Sequence, residues 1–137
     1  MKNPLVQLTK AYYDVINGAL DIPIYDGIAP NNSGNNYVII GERQVLQQLD
    51  KNDYLTECLF VFQIITKGLS TGYKKANEYC DMLLDVINSN STDLIVMTDF
   101  RMEAQQIESI NNLQGLNPAD NQFSIIIRVS SKVTELS

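Results

Sequence analysis

Asp81 and Asp85 stand four residues apart in YKKANEYCDMLLDVI, a spacing that brings two carboxylates together on one side of a helix. Such a pair does acid–base chemistry when a cleft raises the pKa of one partner. Here the two share a side with Lys74 and Glu78. Tyr73, Ala76, Cys80, Leu83 and Ile87 step along the other side, so the acids read as a solvated helix face. Asp21, Asp26 and the asparagines of DIPIYDGIAPNNSGNNYVII offer oxygen ligands for calcium, but not at the regular acidic spacing of a calcium loop. Gly27, Gly34 and Gly41 form no phosphate-cradling motif, and no Gly-Lys-Ser/Thr occurs.

The chain has no histidine, which removes the commonest general base and the commonest metal ligand. Its serines lack an activating partner, and Cys58 and Cys80 lie in apolar runs without a base. Tyr12, Tyr13, Tyr73 and Tyr79 fall at core-like helical spacing, with no basic interleaving for base stacking. We therefore expect no enzyme: no catalytic residue, no cofactor and no metal. A hydrolase using Asp81 or Asp85 is the enzymatic alternative.

Sixteen acidic against ten basic side chains give a net charge of −6 over 137 residues. Such a surface repels a phosphate backbone, which argues against tight nucleic-acid binding but not against DNA sliding past. With 45% hydrophobic and 19% charged residues the balance is that of a globular chain, and the length suits one domain, 1–137. The start, MKNPLVQLTKAYYDV, has no apolar core of signal-peptide length, and no run is long enough to span a bilayer. We expect a soluble protein of a reducing compartment, with both cysteines reduced in the core.

The elements that would position these side chains follow from periodicity. Asn3 and Pro4 read as a cap and first-turn proline. Leu5, Leu8, Tyr12, Ile16 and Ala19 recur at helical spacing up to a stop at Asn17-Gly18, predicting a helix over Pro4–Asn17. A short strand at Ile22–Tyr25, a polar loop and a strand from Tyr37 come next. Residues 41–53 read as the long arm of a hairpin in preference to a short helix. Tyr54–Thr66, YLTECLFVFQIIT, reads as the central strand. Ser70-Thr71-Gly72 opens a second helix that ends at NSNST. Three strands are then expected: Leu94–Thr98, the DFRMEAQQIESI run and FSIIIRVSSKV. Phe100, Met102 and Ala104 alternate with Arg101, Glu103 and Gln105. Phe123, Ile125, Ile127 and Val129 alternate with Ser124, Arg128 and Ser130, spoiled only by Ile126. The fold class is α+β: an antiparallel sheet with two helices packed on one face.

The central strand does not alternate apolar with polar. Cys58, Phe60, Phe62 and Ile64 point one way, while Leu59, Val61 and Ile65 point the other, with Gln63 the polar break. Two helices cover one face of a sheet, so something else must cover the second. A Leu, Val, Ile cluster offers about 200–300 Å² of apolar area, worth roughly 5–7 kcal/mol if fully buried, before the cost of association is subtracted. Either the C-terminal strands fold over it as a sandwich, or a neighbouring subunit does.

The chain resembles the phage tail-completion proteins, the small tail-terminator or head-to-tail joining subunits. The resemblance lies in the first helix, IYDGIAP, YVIIGE, the apolar strand ending in ITKGLSTG, the helix YKKANEYCDMLLDVI and the late strand FSIIIRV. It implies a subunit of a ring, typically of six, that ends the tail tube and meets the connector on the portal side of the capsid. Genome DNA passes through its lumen without sequence-specific binding. It implies a virion protein assembled in the host cytoplasm, with no membrane partner and no catalytic residue. A ring or adaptor protein of a short tail, with twelve copies, is the related alternative. On this reading Leu59, Val61 and Ile65, with Asp26, Asn31, Asn32 and Asn35 of the loop, are the expected subunit or partner contacts. The loop becomes ordered against a partner and holds no ligand. A monomeric α+β domain that binds a ligand or peptide at a sheet edge is the competing reading.

Overall fold

Asn3 accepts the Leu5 amide on its Oδ1 at 2.9 Å, satisfying one of the amides that the first turn of a helix leaves without a partner. From there, in a computed structural model that describes residues 3–31, 34–50, 55–67, 73–88, 90–114 and 122–136, helix α1 runs Leu5–Ala19. It passes straight through Asn17-Gly18, two residues beyond the expected stop, because Leu20 turns extended only after its amide has bonded the Ile16 carbonyl. Helix α2 is Tyr73–Val86. Its apolar stripe is as expected, with Ala76, Cys80, Leu83 and Ile87 buried, and Tyr79 joins them. The expected opening at Ser70-Thr71-Gly72 lies outside the described residues.

The strands are β1 (Ile24–Asp26), β2 (Asn36–Asp50), β3 (Leu55–Thr66), β4 (Phe100–Gln114) and β5 (Phe123–Glu135), in spatial order β1-β2-β3-β5-β4. Residues 41–50 continue β2, so the long hairpin arm is present and the helical alternative is not. β2 through β5 are antiparallel neighbours, but β1 runs parallel to β2 on the edge, which makes the sheet mixed. β1 and β2 are joined by a loop that crosses back along the sheet, not by a tight hairpin turn. The expected strand at Leu94–Thr98 is a single 3-10 turn at Thr92–Leu94 followed by one isolated bridge, Val96 to Arg101. Gln7 of α1 takes up the backbone there instead: its Oε1 accepts the Thr98 and Asp99 amides at 3.1 and 2.9 Å.

Both helices lie on one face of the sheet. α1 packs on β1, β2 and α2, and α2 packs on β3 and β5. The Tyr12 ring meets Phe60 and Phe62 at centroid distances of 5.1 and 5.2 Å, tilted and edge-on, while the two phenylalanines stack at 6.1 Å. Those edge-to-face contacts add to the area they bury. Val38, Ile40, Ile64, Ile125, Ile127 and Val129 complete the layer beneath the helices, each fully enclosed.

The alternation expected in β4 changes phase. A bulge between Met102 and Ala104 exposes Ala104 and turns Gln105 into the core, 2% exposed. A buried amide needs partners, and Gln105 has three. Its Oε1 accepts from the Tyr12 hydroxyl at 3.1 Å, and its Nε2 donates to the Asn88 carbonyl at 2.7 Å and to Ser91 Oγ at 2.9 Å; the Tyr12 hydroxyl also hydrogen-bonds Ser131. This network ties α1, β4, β5 and the end of α2 together. Burial pushes the Tyr12 hydroxyl well above the ordinary phenol range.

A candidate assembly surface

Among the described residues, the second face of the sheet has no helix on it. Along β3 the side chains alternate as read from the sequence: Cys58, Phe60, Phe62 and Ile64 are enclosed beneath the helices, while Leu59, Val61 and Gln63 are half-buried on the open face. The C-terminal strands therefore do not fold over as a second layer; they extend the same sheet. Ile39 of β2 and Ile126 of β5, both half-buried, flank the β3 residues. Ile126 sits directly across from Gln63 and diagonal to Val61, and Ile39 sits across from Gln63 on the other side. The strip is thus Ile39, Leu59, Val61 and Ile126, and Ile126 is the residue that spoiled the alternation of its strand. That break was the sequence signal for a second member of the strip.

Polar groups frame the strip. Arg128 stands opposite Val61 and is exposed, Gln44 stands opposite Leu59, and Ser130 on the other side of Leu59 donates to Glu57 at 3.1 Å. A bulge in β2 sets Gly41 and Glu42 against the single residue Val61, and a Cβ at Gly41 would lie 3.4 Å from the Val61 carbonyl. At the far end of the face Ile65 is buried, 4% exposed, beside Tyr37, so it does not extend the open strip.

The loop residues form a separate cluster at the β1–β2 end. Asp26 pairs with Arg43, which the β2 bulge turns toward it. Gly27 leaves β1 at φ +83°, a left-handed conformation that glycine reaches without strain, and its amide bonds the Ile40 carbonyl at 2.8 Å. Asn31 and Asn35 are exposed, and Ile28 nearby is 84% exposed. Asn32 lies outside the described residues. The structure brings Leu59 and Val61 together, but leaves Asn31 and Asn35 on the loop.

The side chains considered for catalysis are dispersed. Asp81 and Asp85 are exposed on the outer face of α2. Cys58 and Cys80 are buried free thiols, and desolvation raises both to about 11. The exposed Glu103 carboxyl is held below its usual range by the hydrogen bond from Arg101. Among the described residues no group of three or more Cys, Asp or Glu could hold a metal, and no helix is long and apolar enough to cross a membrane. The surface offers the chemistry of contact: an apolar strip with polar margins.

No protein-family model and no curated protein sequence matches this chain. Among solved structures, one chain from the virion of a native gene transfer agent (GTA) particle shares its fold, with a TM-score of 0.80 over 98% of this chain and 99% of that one. The identity is 16%, so the likeness is one of fold.

Proposed function

We propose that this chain is a virion structural protein that acts by assembling with copies of itself, without catalysis, and that it closes a ring at the head-proximal end of a phage-like tail. In that place it ends the tail tube and meets the connector proteins. The observation that carries the reading is the end-to-end fold likeness to a chain of a gene transfer agent virion, with neither chain leaving a domain unmatched. The open apolar strip supports it independently. An uncovered patch on each copy is buried identically on every copy when a ring closes. A ring of acidic subunits also suits a channel that DNA traverses, since like charge keeps the wall from binding it. Six copies fit a tail-terminator ring, and twelve the adaptor of a short tail. Such a protein belongs to the virion and is assembled in the host cytoplasm.

Native mass measurement of the purified protein, alone and with the products of neighbouring genes, tests the proposal. A closed ring, or one that forms on adding a tail or connector protein, is the expected result. A chain that stays monomeric in every mixture refutes it.

A further inference from the structure

Both edges of the sheet are long and, among the described residues, largely unpaired. β1 pairs with β2 only from Val38 to Ile40, so among the described residues no strand flanks β2 from Gly41 to Asp50. On the opposite edge β4 carries 15 residues, and the Val96–Arg101 bridge is the one strand-like contact described along its outer side. Monomers protect such edges with short strands, charged side chains (lysine above all), proline or bulges. These edges carry bulges and the charges Glu42, Arg43, Arg101, Glu103 and Glu108, but they are long. Neither NYVIIGERQVLQQLD nor FRMEAQQIESINNLQ contains a lysine or a proline.

The directions of the two edges are complementary. From β2 through β3 and β5 to β4 each neighbour reverses direction, so β4 runs opposite to β2. A second copy placed beside the first, in the same orientation, would set its β2 antiparallel to β4 and continue the alternation. The row across the open face is Gln44, Leu59, Ser130 and Gln106, each a direct partner of the next. Its two ends are exposed amides, each with donor and acceptor, and they would meet across the seam. The arginines nearest the seam are already engaged, Arg43 with Asp26 and Arg101 with Glu103, so the joint imposes no unpaired cation. Bulges in both strands bend the edges, as a sheet curving around a ring requires.

We infer that the copies join edge to edge, the outer side of β4 on one copy pairing antiparallel with the Gly41–Asp50 edge of β2 on a second copy of this chain. The joint is heterologous: each copy uses one edge for each neighbour, which closes into a ring when the rotation per copy allows it. This rests on the assembly reading above and adds a second contact to it, the two sheet edges, beside the apolar strip on the open face.

Two sets of variants at exposed positions test the joint, with circular dichroism to check the fold. Gln44→Lys with Gln106→Lys sets like charges across the seam and is expected to raise the concentration at half-assembly by about tenfold or more. Gln44→Lys with Gln106→Glu is expected to restore wild-type mass. Under oxidation, Gln44→Cys with Gln106→Cys, or with Asn111→Cys if the copies are staggered, is expected to give a ladder of covalent multimers, while each single variant stays monomeric on a denaturing gel. Wild-type assembly by the lysine pair overturns the edge joint and leaves the assembly reading standing. A disulfide dimer from Gln106→Cys alone overturns it in favour of a two-fold β4–β4 contact. A wild-type protein that stays monomeric in every mixture, with tail and connector proteins added, overturns both.

Discussion

Val61 stands directly opposite Arg128 across the β3–β5 ladder, on the face opposite the two helices. An acidic residue at 61 would therefore find a cation beside it, and the monomer should tolerate the change. Val61→Asp is expected to shift stability by less than about 1 kcal/mol, while lowering the assembled mass. Urea unfolding and light scattering measure the two separately. Unchanged mass would remove Val61 from the contact surface.

Gln105 answers for three hydrogen bonds inside the protein, so a shape-similar apolar side chain leaves several groups unpaired. Gln105→Leu is expected to cost about 2–4 kcal/mol, and Tyr12→Phe about 1–2 kcal/mol, since the latter removes one hydroxyl while Gln105 Nε2 keeps its bonds to Asn88 and Ser91. Denaturant midpoints with unchanged slopes would give both values. A neutral Gln105→Leu would mean that the network does not hold α1 and α2 to the strands.

Phe62 is fully enclosed and meets both Tyr12 and Phe60. Phe62→Ala is expected to destabilise by about 3–5 kcal/mol through lost burial and the cavity left behind. Thermal unfolding followed by circular dichroism reads this as a large drop in midpoint. A drop of a degree or two would place the core elsewhere.

The two thiols carry a pH signature. Burial raises Cys58 and Cys80 from about 9 to about 11, so the folded state holds these protons more tightly than the unfolded chain. Their stabilising effect is complete below pH 9 and is lost as pH rises toward 11. At pH 8 about one thiol in a thousand is ionised at a pKa of 11, so the native protein should react with a thiol reagent only as fast as it opens. Fast modification of both cysteines without denaturant would contradict this.

Much of this arrangement was readable from residue patterns, because burial alone dictates it. The stripe Ala76, Cys80, Leu83, Ile87 and the alternation from Cys58 to Ile64 each follow from one element meeting one apolar layer. The apolar residues on both sides of β3 also followed the pattern, with Leu59 and Val61 half-buried on the face opposite the helices. What escaped was whatever depends on a bulge or on neighbours distant in sequence. One extra residue near Met102 reversed the facing of Ala104 and Gln105, and a shift of one residue is silent in a pattern of period two. Leu94–Thr98 looked like a strand from its side chains, but a strand is defined by a partner, and there the backbone bonds to Gln7 instead.

Residue order alone thus settled the two helices, the apolar core and the absence of histidine chemistry, since these rest on local periodicity and composition. Folding in three dimensions settled which strands are neighbours: β5 between β3 and β4, β1 parallel on the edge, and Ile39 and Ile126 beside Val61. Such pairings join residues tens of positions apart through backbone groups that every residue carries alike. No pattern of side chains encodes them locally, and only the packing of the whole chain selects among the orders that local patterns permit.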